Sequence, residues 1–136
     1  MFTPPPRLAL GGGLRPTFGR LSLDEAEGLL QGLYEVNLRQ TRAGVPSVDQ
    51  ALRVGSLRYI RRDPSEHWRT KREIWTYGGG DCEDLAAAVA ADMTARGEPA
   101  IPVVYRVNPS LAHAVVWVKR PRLLIDPSRT GGMRAP

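Results

Sequence analysis

The stretch Gly78-Gly79-Gly80-Asp81-Cys82-Glu83-Asp84-Leu85-Ala86-Ala87-Ala88-Val89-Ala90-Ala91-Asp92-Met93 decides the fold. Three glycines let the chain turn sharply, and an Ala-rich run of high helix propensity follows. Asp81 is suited to the N-cap, with Asp84 at the third helical position. Cys82, Leu85, Ala86, Val89 and Met93 then recur at the spacing of one buried helical face. Cys82 is the only cysteine, and it stands where this core helix begins. Unpaired N–H groups and the positive end of the helix dipole favour thiolate there, and the same N–H groups can hold an oxyanion.

A thiolate needs a base. The chain has two histidines, His67 and His113. His113 opens the apolar run Ala114 to Val118, which reads as a buried strand, and Leu123-Leu124-Ile125-Asp126 reads as a second strand ending in a carboxylate. With Arg120 and Pro121 as the loop, Lys119 faces Arg122 and His113 faces Ser128. Asp126 becomes the diagonal neighbour of His113 on one sheet face, about 7 to 8 Å away at Cα. Cysteine, histidine and aspartate thus follow in chain order on a helix and two strands. His67 has no such setting and reads as a surface or packing residue. The acids Asp81, Glu83 and Asp84 oppose thiolate formation unless they point away or are neutralised.

The chain of 136 residues has room for one core. Its net charge of +5 is almost wholly arginine, spread along the sequence, so a solvated surface is expected rather than a nucleic-acid footprint. One cysteine makes no internal disulfide, and the cysteine and histidine spacing is not that of structural zinc. No apolar run approaches the ~20 residues that span a bilayer, and the start lacks the pattern of a signal peptide. The expected setting is the cytoplasm, or the interior of a particle such as a phage virion.

Taken in order, residues 1–20 are rich in Pro and Gly and are expected to form an extended arm that docks on a protein assembly. Ser22 with Glu25 forms a capping-box signature ahead of Leu29, Leu30, Leu33 and Tyr34, predicting a helix from about Leu23 to about Leu38. Ser47 with Gln50 repeats the signal. Val48, Ala51, Leu52, Leu57 and Ile60 extend the second helix toward Asp63-Pro64, weakened at Gly55. Trp68, Ile74, Trp75 and Tyr77 form an aromatic approach to the cysteine loop. The Cys82 helix should stop near Arg96-Gly97, a strand should follow from Pro102 to Val107, and residues 128–136 should be a flexible tail. The expected architecture is α+β over residues 21–127, with N-terminal helices and the Cys-bearing helix packed on a small antiparallel sheet.

Trp68, Thr70, Glu73 and the segment from Gly78 to Asp84 resemble the signature of bacterial transglutaminase-like cysteine peptidases, within the transglutaminase-like superfamily on a papain-like core. Lys71 departs from the pattern, standing where that family tends to have proline. The resemblance implies Cys82 as nucleophile, His113 as base and then acid, and Asp126 as the group that orients His113. It implies cleavage of a peptide, isopeptide or amide bond in a peptide or protein substrate through a thioester. Oxyanion donors would be the backbone N–H of Cys82, with Trp75 or Tyr77 from upstream. No cofactor is required. In some relatives the acids flanking the cysteine bind calcium, which would fall on Asp81 and Glu83; the preferred reading of these two is a cap and a dipole partner, so no metal is expected. The competing expectation is a structural or adaptor module with an idle triad.

Overall fold

A computed structural model describes residues 22–62, 67–108 and 111–134, so the N-terminal arm lies outside the described residues. The order of elements is α1 (Leu23–Arg42), α2 (Val48–Arg53), β1 (Arg58–Tyr59), α3 (Lys71–Tyr77), β2 (Gly79–Gly80), α4 (Cys82–Ala95), β3 (Ala100–Asn108), β4 (Leu111–Val118), β5 (Leu123–Ile125) and α5 (Pro127–Thr130). The architecture is α+β. The strands β3, β4 and β5 form an antiparallel sheet in that order, and β1 pairs with β2 in a short parallel ladder.

Helix α4 is the axis of the domain, packed between α1 on one side and β3 and β4 on the other. Ala86, Ala87, Ala88, Ala90 and Ala91 are all fully buried, so the helix is covered all round rather than on the single face its larger residues define. Alanine makes this possible, because a methyl side chain lets two layers approach the same helix closely. Leu30 of α1, Ile74 of α3, Val104 of β3 and Val116 of β4 complete the core around it.

The three glycines have separate causes. Gly78 caps α3 at φ 84°, in the left-handed region. A Cβ on Gly79 would lie 2.0 Å from the Arg58 carbonyl oxygen, and one on Gly80 2.7 Å from Asp84 Cβ. The loop therefore threads between β1 and the first turn of α4, where only glycine fits.

Several boundaries differ from the sequence reading, among them β3, which runs from Ala100 to Asn108 rather than from Pro102 to Val107. Helix α1 runs one turn further, to Arg42. Helix α2 stops at Arg53, because Gly55 takes φ 80° and the chain then pairs Tyr59 with Gly80. The segment before the cysteine loop contains α3, begun by a capping box between Thr70 and Glu73. Past Asp126 the chain is docked as far as Met133: α5 packs on α4, Gly131 accepts the Tyr59 N–H at 2.9 Å, and Met133 is buried.

Lys71, at the start of α3, is fully buried. Its ammonium pairs with Asp92 of α4 and donates to Thr41 of α1 at 2.7 Å, while its N–H meets Asn37 Oδ1 at 2.9 Å. A buried cation needs this full set of partners, and together they tie three helices at the end of α4 opposite the cysteine.

Candidate active site

Asp81 caps α4 in a reciprocal box. Its side chain accepts the Asp84 N–H at 3.3 Å, and its own N–H donates to Asp84 Oδ2 at 3.2 Å. Cys82 follows as the first helical residue, with its side chain packed against the core. The backbone N–H of Ala114, next to His113 on β4, favours the ionised form of the sulfur. The thiol itself donates to Glu83 Oε2 at 3.1 Å.

His113 is buried on β4. Its Nε2 lies 2.9 Å from Asp126 Oδ2. The register Val116 with Ile125 and Val118 with Leu123 continues the pairing expected from the turn at 119–122, but the ladder ends at Ile125. Asp126 leaves the strand and becomes the N-cap of α5, where Oδ1 accepts the Ser128 N–H at 3.1 Å. One carboxylate oxygen is thus fixed by the backbone and the other meets the imidazole. Tyr105, opposite His113 on β3, sets its ring edge-on to the imidazole at 5.8 Å. Arg129, one turn into α5, reaches Asp126 Oδ2 at 3.6 Å from solvent.

The acids near the cysteine turn inward. Asp81, Glu83 and Asp84 are all buried. Asp84 meets the Arg62 guanidinium at 3.0 Å and the Arg69 N–H at 2.7 Å, while burial, then the charge of Asp81, pushes its carboxyl up to about 8. Burial, then the charge of Glu83, pushes Asp81 up to about 7, and Asp81 and Glu83 share a side-chain hydrogen bond. Two ionised carboxylates cannot hydrogen-bond to each other, so the cluster of Asp81, Glu83 and Asp84 holds a proton in common. Burial, then Glu83, pushes the Cys82 thiol well above its ordinary value, while the Ala114 N–H pulls it down. The resting site holds a neutral thiol.

The sequence-derived residues fall in different places. His113 and Asp126 are in direct contact, and Cys82 lies against the same strand with its proton directed at Glu83. His67 pairs with Glu73 at 3.0 Å on the surface. Trp75 donates its indole N–H to the Pro46 carbonyl at 2.9 Å, and Tyr77 is an exposed ring under the Arg69 guanidinium, 4.4 Å from its centroid. Neither offers a donor to the cysteine in this arrangement, because α3 turns both aromatics away from the loop that follows it. Glu83 receives the thiol, and Asp81 is engaged by the Asp84 cap. A calcium ion takes six or more oxygens, and among the described residues no group of three His, Cys, Asp or Glu side chains could hold a metal ion.

Two residues near the sulfur escape the sequence reading. Burial raises the phenols of Tyr59 of β1 and Tyr105 of β3, and Cys82 adds a smaller share to each. Tyr105 could have been found from the β3 to β4 register. Tyr59 could not, because its position depends on the parallel pairing with the glycine loop.

No family model and no curated protein matches the chain. Among solved structures it is similar to the crystal structure of the periplasmic domain of TgpA from Pseudomonas aeruginosa bound to ethylmercury, at 22% identity and a TM-score of 0.47. That alignment covers 80% of this chain and 45% of the other, so the chain spans less than half of that structure. At this level of likeness the chemistry of the site rests on its own geometry. No helix among the described residues is long and apolar enough to cross a membrane.

Proposed function

We propose that the chain is a transglutaminase-like cysteine hydrolase that cleaves a peptide, isopeptide or amide bond, with Cys82 as nucleophile, His113 as base and then acid, and Asp126 as orienter. The observation that carries the reading is the His113 to Asp126 hydrogen bond of 2.9 Å, made from β4, the strand on which the helix opened by the only cysteine packs. Asp126 holds Nε2 as the protonated nitrogen, which leaves Nδ1 as the basic one. Nδ1 takes the thiol proton as sulfur attacks the substrate carbonyl carbon. The Cys82 N–H, at the free end of α4, donates to the oxyanion. His113 then returns the proton to the leaving amine, a thioester remains, and water resolves it with His113 again acting as base.

A second reading has its own observation. The thiol is directed at Glu83 and held neutral, as suits a structural or adaptor protein with an idle triad, for example within a phage particle. The two separate on a variant series. Under the enzyme reading Cys82→Ser abolishes turnover of a peptide or amide substrate with melting temperature nearly unchanged, His113→Ala does the same, and Asp126→Asn is milder. If Cys82→Ser keeps every activity while His113→Ala and Asp126→Asn mainly unfold the protein, the residues form a core network.

A further inference from the structure

The hydrogen bond to Asp126 leaves one freedom of the His113 imidazole unrestrained. It is made at Nε2, an atom close to the Cβ–Cγ axis about which the ring turns. A bond there settles which nitrogen carries the proton but resists the turning only weakly. The turning is what swings Nδ1 toward the thiol or away from it. The torsion has no sharp preference of its own, because it joins a tetrahedral carbon to a planar ring and its wells are broad. Another group must hold the plane of the ring.

Tyr105 stands in the place to do so. It is the direct cross-strand partner of His113 in the register of β3 with β4, where facing side chains lie about 4.5 to 5.5 Å apart at Cβ. Its ring meets the imidazole at 86°, with the centroids 5.8 Å apart, inside the edge-to-face range of about 4.5 to 7 Å. Tyr105 is also the one aromatic residue of β3, whose neighbours on the same side of the sheet, Ile101 and Val103, are aliphatic. It takes no part in the apolar core, to which β3 contributes Ala100 and Val104. We infer that Tyr105 is a positioning residue whose ring fixes the rotation of the His113 imidazole and so keeps Nδ1 aimed at the thiol. This rests on His113 being the base, and it names the group that aims it. The perpendicular contact is made by the ring, so the ring carries the role and the hydroxyl does not.

The chain has two histidines, and His67 lies at the surface with Glu73, so His67→Gln leaves His113 as the sole imidazole to be read by nitrogen NMR. The full chain in this background is labelled at its histidine nitrogens, whose shifts report the tautomer. Release of nitrophenolate from p-nitrophenyl acetate reports how fast Cys82 is acylated. At a pH where the imidazole is neutral, the background protein and Tyr105→Phe should both show one tautomer, protonated at Nε2, and equal rates. Tyr105→Leu and Tyr105→Val should each mix the two tautomers and slow acylation by on the order of tenfold to a hundredfold, the scale on which a misplaced catalytic group is felt. The two remove the ring in different shapes, and valine suits a strand, so a loss of folding in one leaves the other to decide. Two tautomers in the background protein overturn the inference with no variant at Tyr105 needed. It is overturned equally by a folded leucine or valine variant that keeps the single tautomer or the full rate, or by a Tyr105→Phe as slow as these. If Cys82 takes no acyl group in the background protein, the nucleophile is lost, and the tautomer alone decides whether Tyr105 holds the ring.

Discussion

Around Cys82, opposed groups act on one sulfur. The Ala114 N–H and the start of α4 favour thiolate; burial and the Glu83 carboxylate, 3.1 Å away, favour thiol. Glu83→Gln removes the charge that opposes ionisation and leaves an amide of the same shape. Iodoacetamide should label Cys82 faster in this variant at neutral pH, on the order of tenfold for each unit by which the thiol falls; an unchanged or slower rate would show that Glu83 does not set the protonation state. Asp81 gives a second test, through stability. Its folded value is raised from 3.8 to about 7, with burial as the main cause. Between about 4 and about 7 the folded protein keeps a proton that the unfolded chain releases, so stability falls as pH rises through this window and levels off above it. Asp81→Asn keeps the cap and removes the titration. Its stability relative to the unaltered protein should therefore rise with pH, by on the order of 2 to 4 kcal/mol across the window. Chemical denaturation at a series of pH values checks this, and a difference that stays flat would contradict it.

Among the elements, the glycine loop links strand pairing to the cysteine. A Cβ on Gly79 would lie 2.0 Å from the Arg58 carbonyl oxygen, so Gly79→Ala must push β1 and β2 apart. Denaturant unfolding should show a loss of about 3 kcal/mol or more, as in an overpacked core, against about 1 kcal/mol for Gly78→Ala, where only the left-handed conformation is strained. Equal small effects would mean that the loop yields freely. The elements legible in the sequence were those with local signals: the Ser22 and Asp81 capping boxes, the Arg96 stop, and the His113 strand with its register to Leu123. What escaped depended on distant partners. Tyr59 joins a ladder only because Gly79 and Gly80 lie beside it, and residues 128–134 are held by α4 and by the Tyr59 N–H, which no local pattern records. The all-round burial of α4 was hidden for a similar reason, since alanine carries little apolar contrast between faces.

Across the whole domain, α4 joins two polar sites buried in an otherwise apolar core. At its start are Cys82 and the acids of the cap; near its end Asp92 receives Lys71, with Thr41 completing the shell. Lys71, the departure from the family pattern, thus has a structural cause remote from the cysteine. Of the candidate site, the cysteine and aspartate were readable because each marks the boundary of a regular element, and the histidine because it adjoins the apolar run of β4. The resting partner of the thiol and the tyrosines around it were not, because they are set by how β1, β3 and α4 meet. The central claim is that Cys82 accepts an acyl group with the help of His113. The direct measurement is the intact mass of the protein quenched at short times after mixing with an activated acyl ester, followed by treatment with hydroxylamine. The account predicts one acyl group per chain, released by hydroxylamine, absent from Cys82→Ser and formed far more slowly in His113→Ala. An adduct that persists in Cys82→Ser, or one that forms at the same rate without His113, would contradict it.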